Sequence, residues 1–127
     1  MAKKILIIDD DMDFVEACQN MLEAAGYKVE CESVFENAID RIKETNPDLL
    51  LLDILMENKV IGFDIADAIF RDEKLRHIPV IFLTGYFRRS NTIERENESL
   101  KRWGNVRSII DKPVKPSVLL GAIREIL

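Results

Sequence analysis

Leu49-Leu50-Leu51-Leu52-Asp53 sets four consecutive leucines against a closing aspartate. A strand with one wet face alternates apolar and polar residues. An unbroken apolar run of this length reads instead as a strand buried on both faces, the habit of parallel sheets lying between two layers of helices. Two more runs have this form: Ile5-Leu6-Ile7-Ile8, closed by Asp9-Asp10, and Val80-Ile81-Phe82-Leu83, closed by Thr84. Two others differ. Lys28-Val29-Glu30-Cys31-Glu32 alternates and Val106-Arg107-Ser108-Ile109-Ile110 is mixed, so both read as sheet edges. Three central strands, with edges second and fifth in the chain, match the doubly wound order 2-1-3-4-5.

Helical patterns fill the intervals, which is the α/β signature with helices on both faces of the sheet. The first helix carries Phe14, Val15, Cys18, Met21, Leu22 and Ala25 at helical spacing, with Gly26 as its stop. The second has Ser33 as its expected cap, then Phe35, Ala38, Ile39 and Ile42, and Pro47 falls in the loop beyond. A third runs from about Gly62 to Asp72. A polar fourth spans about Asn91 to Trp103, with Ile93, Leu100 and Trp103 as its sparse apolar face. The last carries Val118, Leu119, Ala122, Ile123, Ile126 and Leu127.

The bulk properties exclude several classes. At 127 residues the chain has the length of one domain, able to form a core without disulfides or structural metal. A net charge of −5 argues against a nucleic-acid surface, which is normally basic. No apolar run approaches the roughly 20 residues of a membrane helix, and the start is too short in apolar residues for a signal peptide, so a cytoplasmic location is expected. Cys18 and Cys31 form no C-x-x-C pair and read as buried free thiols; His77, beside Ile78-Pro79, reads as a loop residue.

In open sheets of this order, ligands sit outside the carboxyl ends of the strands, at the switch of strand order. That edge collects Asp9, Asp10, Asp53, Thr84 and Lys112, the last following Ile109-Ile110-Asp111. Three crowded carboxylates repel one another unless a cation is present. One lysine offsets only part of that charge, and all-oxygen ligands favour Mg²⁺ or a similar hard ion. A hydroxyl and an ammonium beside them suit an incoming phosphoryl group, whose transfer needs positioning and charge neutralisation. A carboxylate can also be the nucleophile, giving an aspartyl phosphate. Simpler roles stand beside these: Asp11 or Asp13 can cap the first helix, Thr84-Gly85 can be only a strand end, and Arg88-Arg89 can be a solvated loop.

In this order and context the five residues resemble the receiver domain of two-component response regulators, over the whole chain, 1–127. The resemblance implies a flavodoxin-like fold in one receiver domain. It implies Asp53 as phosphoacceptor, Asp10 and, through water, Asp9 as Mg²⁺ ligands with Asp53 and the Leu55 carbonyl. It places Thr84, Gly85, Lys112 and Leu55 around the phosphoryl group, and makes Lys112-Pro113 a cis bond. It also implies a histidine kinase or phosphotransfer protein as donor. The output is then a protein contact or a domain beyond Leu127, where the chain stops on an apolar helical residue; a homodimer also fits. Such a domain catalyses only its own phosphorylation and dephosphorylation. The alternatives are a haloacid-dehalogenase-type phosphatase, to which Asp9-x-Asp11 or Asp11-x-Asp13 is superficially similar, and a pseudo-receiver that binds without phosphorylation.

Three departures from the family pattern stand out. The loop after Asp53 keeps Met56 but has Glu57 where proline is usual, and Gly62 comes one residue late. Ile109 occupies a position that is often aromatic, so switching is expected to use backbone and helix shifts or another residue such as Trp103. The segment from Thr84 to Lys112 is long, and Tyr86 beside Leu55 suggests a shielded, long-lived phosphoryl group.

Overall fold

The structure, a computed structural model, describes residues 2–56, 59–85 and 101–127. The main sheet contains β1 (Lys4–Ile8), β2 (Lys28–Glu32), β3 (Leu49–Leu52), β6 (Val80–Thr84) and β7 (Val106–Asp111). All pairings are parallel and the order is β2-β1-β3-β6-β7. This is the expected 2-1-3-4-5 order, because β4 (Leu55–Met56) and β5 (Lys59–Val60) form a separate antiparallel hairpin between β3 and α3. The helices described are α1 (Met12–Ala24), α2 (Ala38–Thr45), α3 (Gly62–Arg71) and α4 (Pro116–Ile126).

The four leucines of β3 are fully buried. Leu50 and Leu52 face a layer holding Ile42 of α2 and Ile65 and Ile69 of α3, while Leu49 and Leu51 face Val15 and Leu22 of α1 and Leu119 and Ile123 of α4. Each buried leucine contributes roughly 1.5–3 kcal/mol relative to an exposed one, so this one strand contributes on the scale of a whole domain's net stability. The alternating β2 and the mixed β7 are the edges, as their patterns require.

The helix ends follow local chemistry, with one correction. Asp11 caps α1, its side chain accepting from the Phe14 N–H at 3.2 Å. Gly26, just past the end of α1, takes a left-handed φ of 99°. Ser33 does not cap the second helix. The chain enters it through a 3₁₀ turn, Phe35–Asn37, whose cap is Val34, and the Glu32 side chain accepts the Val34 N–H instead. Cys18 is buried but Cys31, on an edge strand, is only half-buried; His77 is exposed in a turn. Among the described residues no helix is long and apolar enough to cross a membrane.

Candidate functional site

The carboxyl edge is level because the register makes it so. Ile8 pairs with Leu52, and Thr84 with Asp111. Two further hydrogen bonds carry the ladder past the strand ends: Asp53 N–H to Ile8 carbonyl at 3.0 Å and Asp9 N–H to Glu32 carbonyl at 3.1 Å. The backbone therefore fixes both aspartates before their side chains make any contact.

Asp9 and Asp53 are buried and Asp10 is exposed, and a carboxylate oxygen from each lies within 4.8 Å of the others. Lys112 joins them. Its Nζ is 2.6 Å from Asp9 Oδ2 and 3.6 Å from Asp53 Oδ2. Asp9 Oδ1 accepts the Asp11 N–H at 2.9 Å, and Asp53 Oδ1 accepts the Leu55 N–H at 3.2 Å. Leu55 is half-buried in β4 and Gly85 directly follows β6. Thr84 ends β6, at the same edge as Lys112; its side chain lies outside what is described. The Lys112-Pro113 bond is cis.

Electrostatics fit a site built for a cation. Burial pushes the Asp9 carboxyl above the usual carboxylate range, although Lys112 and the Asp11 N–H pull the other way. Burial disfavours the Lys112 ammonium, but the hydrogen bond to Asp9 and the charges of Asp9, Asp53 and Asp11 outweigh it and hold the group above its ordinary value. Among the described residues Lys112 thus sets one positive charge against a cluster of three carboxylates, two of which it reaches. The all-oxygen donor set and the residual negative charge fit a hard divalent cation such as Mg²⁺.

Two site neighbours were not legible as such. Phe14, which reads as a core residue of α1, lies with its ring centre 4.2 Å from Lys112 Nζ. Its place in the first turn after Asp10-Asp11 is the signal that brings it to the sheet edge. Gly62 packs against the other side of Asp53: a Cβ there would overlap Ile54 Cα and lie 2.5 Å from the Asp53 carbonyl oxygen. The late glycine therefore still serves close approach.

Ile109 is half-buried and packs against the core layer containing Phe82 and Trp103. Trp103 stacks on Phe63 at 5.4 Å, meets Phe82 edge-on at 6.0 Å, and donates its indole N–H to Asp67 Oδ1 at 3.3 Å. It is buried, so it is a packed link between α3 and β6. Glu57, Tyr86, Arg88-Arg89 and the helix expected from Asn91 lie outside the described residues, apart from its helical end at Lys101-Arg102 and Trp103.

Comparison with known proteins gives a consistent picture. The response regulator receiver domain family matches residues 5–124. The polar-differentiation response regulator DivK of Brucella ovis is 30% identical over 128 residues, spanning 100% of this chain and 98% of that protein. Among solved structures, the N-terminal domain of a response regulator receiver protein from Methanoculleus marisnigri JR1 shares 32% identity, with a TM-score of 0.76 over 100% of this chain and 98% of that one. The chemotaxis response regulator CheY4 of Vibrio cholerae matches in fold, with a TM-score of 0.84 at 24% identity over the full length of both chains.

Proposed function

From the chain's membership of the response regulator receiver family, we propose that it accepts a phosphoryl group on Asp53 from the phosphohistidine of a kinase or phosphotransfer protein. The observation that carries this is the convergence of Asp9, Asp10 and Asp53 within 4.8 Å, with Lys112 reaching two of them. In the reaction an Asp53 oxygen attacks phosphorus. The O–P bond forms as the donor's N–P bond breaks, and the electron pair leaves on the imidazole nitrogen, which is protonated from solvent.

Asp9, Asp10 and Asp53, with the Leu55 carbonyl, would hold Mg²⁺. When bound, the ion neutralises charge on the transferring phosphoryl oxygens. Lys112 begins on Asp9. New negative charge at Asp53 competes for its ammonium, and Thr84 at the end of β6 supplies a hydroxyl for the remaining oxygens. The added charge then shifts an existing equilibrium of the surrounding loops, and the altered surface binds an output partner or output domain. With Ile109 in place of an aromatic, the packed contact of Phe82 with Trp103 is a route from the end of β6 to α3.

An apolar groove beside the site, lined by Phe14, Ala17, Met21, Val114 and Leu119, offers the donor protein a surface. The net charge of −5 argues against nucleic acid as the partner. Asp11 caps α1 with its side chain, the simpler of the roles open to it. The family match over residues 5–124 likewise favours a signalling domain over such an enzyme.

Intact-mass measurement after incubation with acetyl phosphate tests the reading. Wild type is expected to gain one phosphoryl group in Mg²⁺ and none in a chelator, and Asp53→Asn to gain none. Equal labelling of the variant would place the chemistry elsewhere, and no labelling of wild type would favour a pseudo-receiver.

A further inference from the structure

The Lys112 ammonium has three N–H donors, and three walls surround it. Asp9 Oδ2 lies at 2.6 Å, Asp53 Oδ2 at 3.6 Å, and the Phe14 ring centre at 4.2 Å. We propose that Phe14 is a positioning residue of the phosphoryl site, its ring face holding the Lys112 ammonium between Asp9 and Asp53. This role rests on the reading of Asp53 as phosphoacceptor.

The contact has the geometry of a cation–π pair, which extends to about 6 Å from the ring centre and strengthens as the pair loses water. The Lys112 side chain is only 20% exposed. The ring is itself anchored. Phe14 sits in the first turn of α1, its N–H held by Asp11 Oδ1 at 3.2 Å, and its side chain packs on the core layer of Val15, Leu22 and Leu119. It is thus a fixed wall and not a loose surface aromatic.

The two carboxylates alone cannot fix the ammonium where it is needed. Asp9 is the nearer partner by 1.0 Å, and a lysine stem has four rotatable bonds with which to fold onto it or swing into water. The ring face attracts the cation on a third side and excludes water from that face, keeping Nζ within reach of both Asp9 and Asp53. An aliphatic side chain of similar size would exclude water but would offer no negative π face.

That difference supplies the test. Phe14→Leu keeps apolar volume and removes the face; Phe14→Tyr keeps the face. Acetyl phosphate serves as donor, so that no partner docking on the neighbouring groove enters the rate. Phosphoryl uptake at fixed Mg²⁺ is expected to slow roughly three- to tenfold in Phe14→Leu, scaled from ordinary cation–π strengths, and to recover in Phe14→Tyr. In NMR spectra of the unphosphorylated chain, the Lys112 ε-methylene signal is expected to be shifted upfield by the ring in wild type and Phe14→Tyr but not in Phe14→Leu. Equal rates for wild type and Phe14→Leu overturn the role, as do equally slowed Leu and Tyr variants, or an unshifted ε-methylene in wild type. Wild type that takes no label fails the functional reading itself, and the role of Phe14 with it; a labelled wild type with an indifferent Phe14→Leu fails the positioning role alone.

Discussion

Gly62→Ala adds one carbon where two backbones meet. The new Cβ would lie 2.5 Å from the Asp53 carbonyl oxygen and overlap Ile54 Cα, and ordinary contact begins at 3.4 Å. The end of β3 and the start of α3 must therefore part by about 1 Å, and no side-chain rotamer can absorb the change, because the opposing atoms are backbone. Overpacking of this kind costs typically 1–3 kcal/mol, and a backbone-on-backbone clash belongs at the upper end, about 3 kcal/mol. For a chain of this size that lowers Tm by about 10 °C. The same displacement moves Asp53 against Lys112 and the other carboxylates, and misplacement by about 1 Å can cost a reaction about 100-fold. Circular dichroism melts are thus expected to show the loss, and phosphoryl uptake from acetyl phosphate to fall at least tenfold in folded protein. Gly121→Ala is the matched control. It lies exposed within α4 with nothing within 4 Å of a Cβ, so it should raise stability by about 0.5–1 kcal/mol through helix propensity. A Gly62→Ala chain with wild-type Tm and wild-type labelling would show that the close approach does not position Asp53.

Two further perturbations probe the charges. Asp10 is exposed but its charge crowds Asp9, so Asp10→Asn should raise the metal-free Tm slightly by relieving repulsion while weakening Mg²⁺ at least tenfold, about 1.4 kcal/mol; Mg²⁺ titrations followed by thermal melts read this, and an undiminished Mg²⁺ shift in the variant would remove Asp10 from the ligand set. Cys18 has its thiol pushed up by burial from 9.0 to about 11. Because the folded value is the higher, the thiol form contributes stability that is complete below about pH 9 and lost as pH rises through about 11, about 3 kcal/mol in all. Urea unfolding between those values should fall more steeply for wild type than for Cys18→Ala, and parallel curves would contradict it.

The sheet was legible because its signals are strong and local. Leu49–Leu52 has one physical reading, and the patterns of β2 and β7 identified them as edges without any knowledge of pairing. The convergence of Asp9, Asp10, Asp53 and Lys112 followed from that order, since parallel strands bring their carboxyl ends to one side. What could not be read depends on distances between segments far apart in the chain. Phe14 satisfies the helical pattern of α1 whether it faces the core or Lys112, and only the placement of Lys112, 98 residues later, separates the two. Gly62 looks like a turn glycine until Ile54 is set against it. The β4–β5 hairpin is two residues a side, too short for a periodicity to register. Ser33 failed as a cap because Glu32 reached the Val34 N–H and a 3₁₀ turn intervened; several such local bonds compete, and the sequence does not rank them.

Borohydride reduces an aspartyl phosphate to homoserine and leaves ordinary carboxylates intact, so it marks the acceptor permanently. Peptide sequencing by mass spectrometry after phosphodonor, Mg²⁺ and borohydride should find homoserine at position 53 and at no other aspartate, and none when Mg²⁺ is withheld. Homoserine at position 9 or 10, or at 53 regardless of Mg²⁺, would contradict a site in which Asp9 and Asp10 hold the ion and Asp53 takes the phosphoryl group.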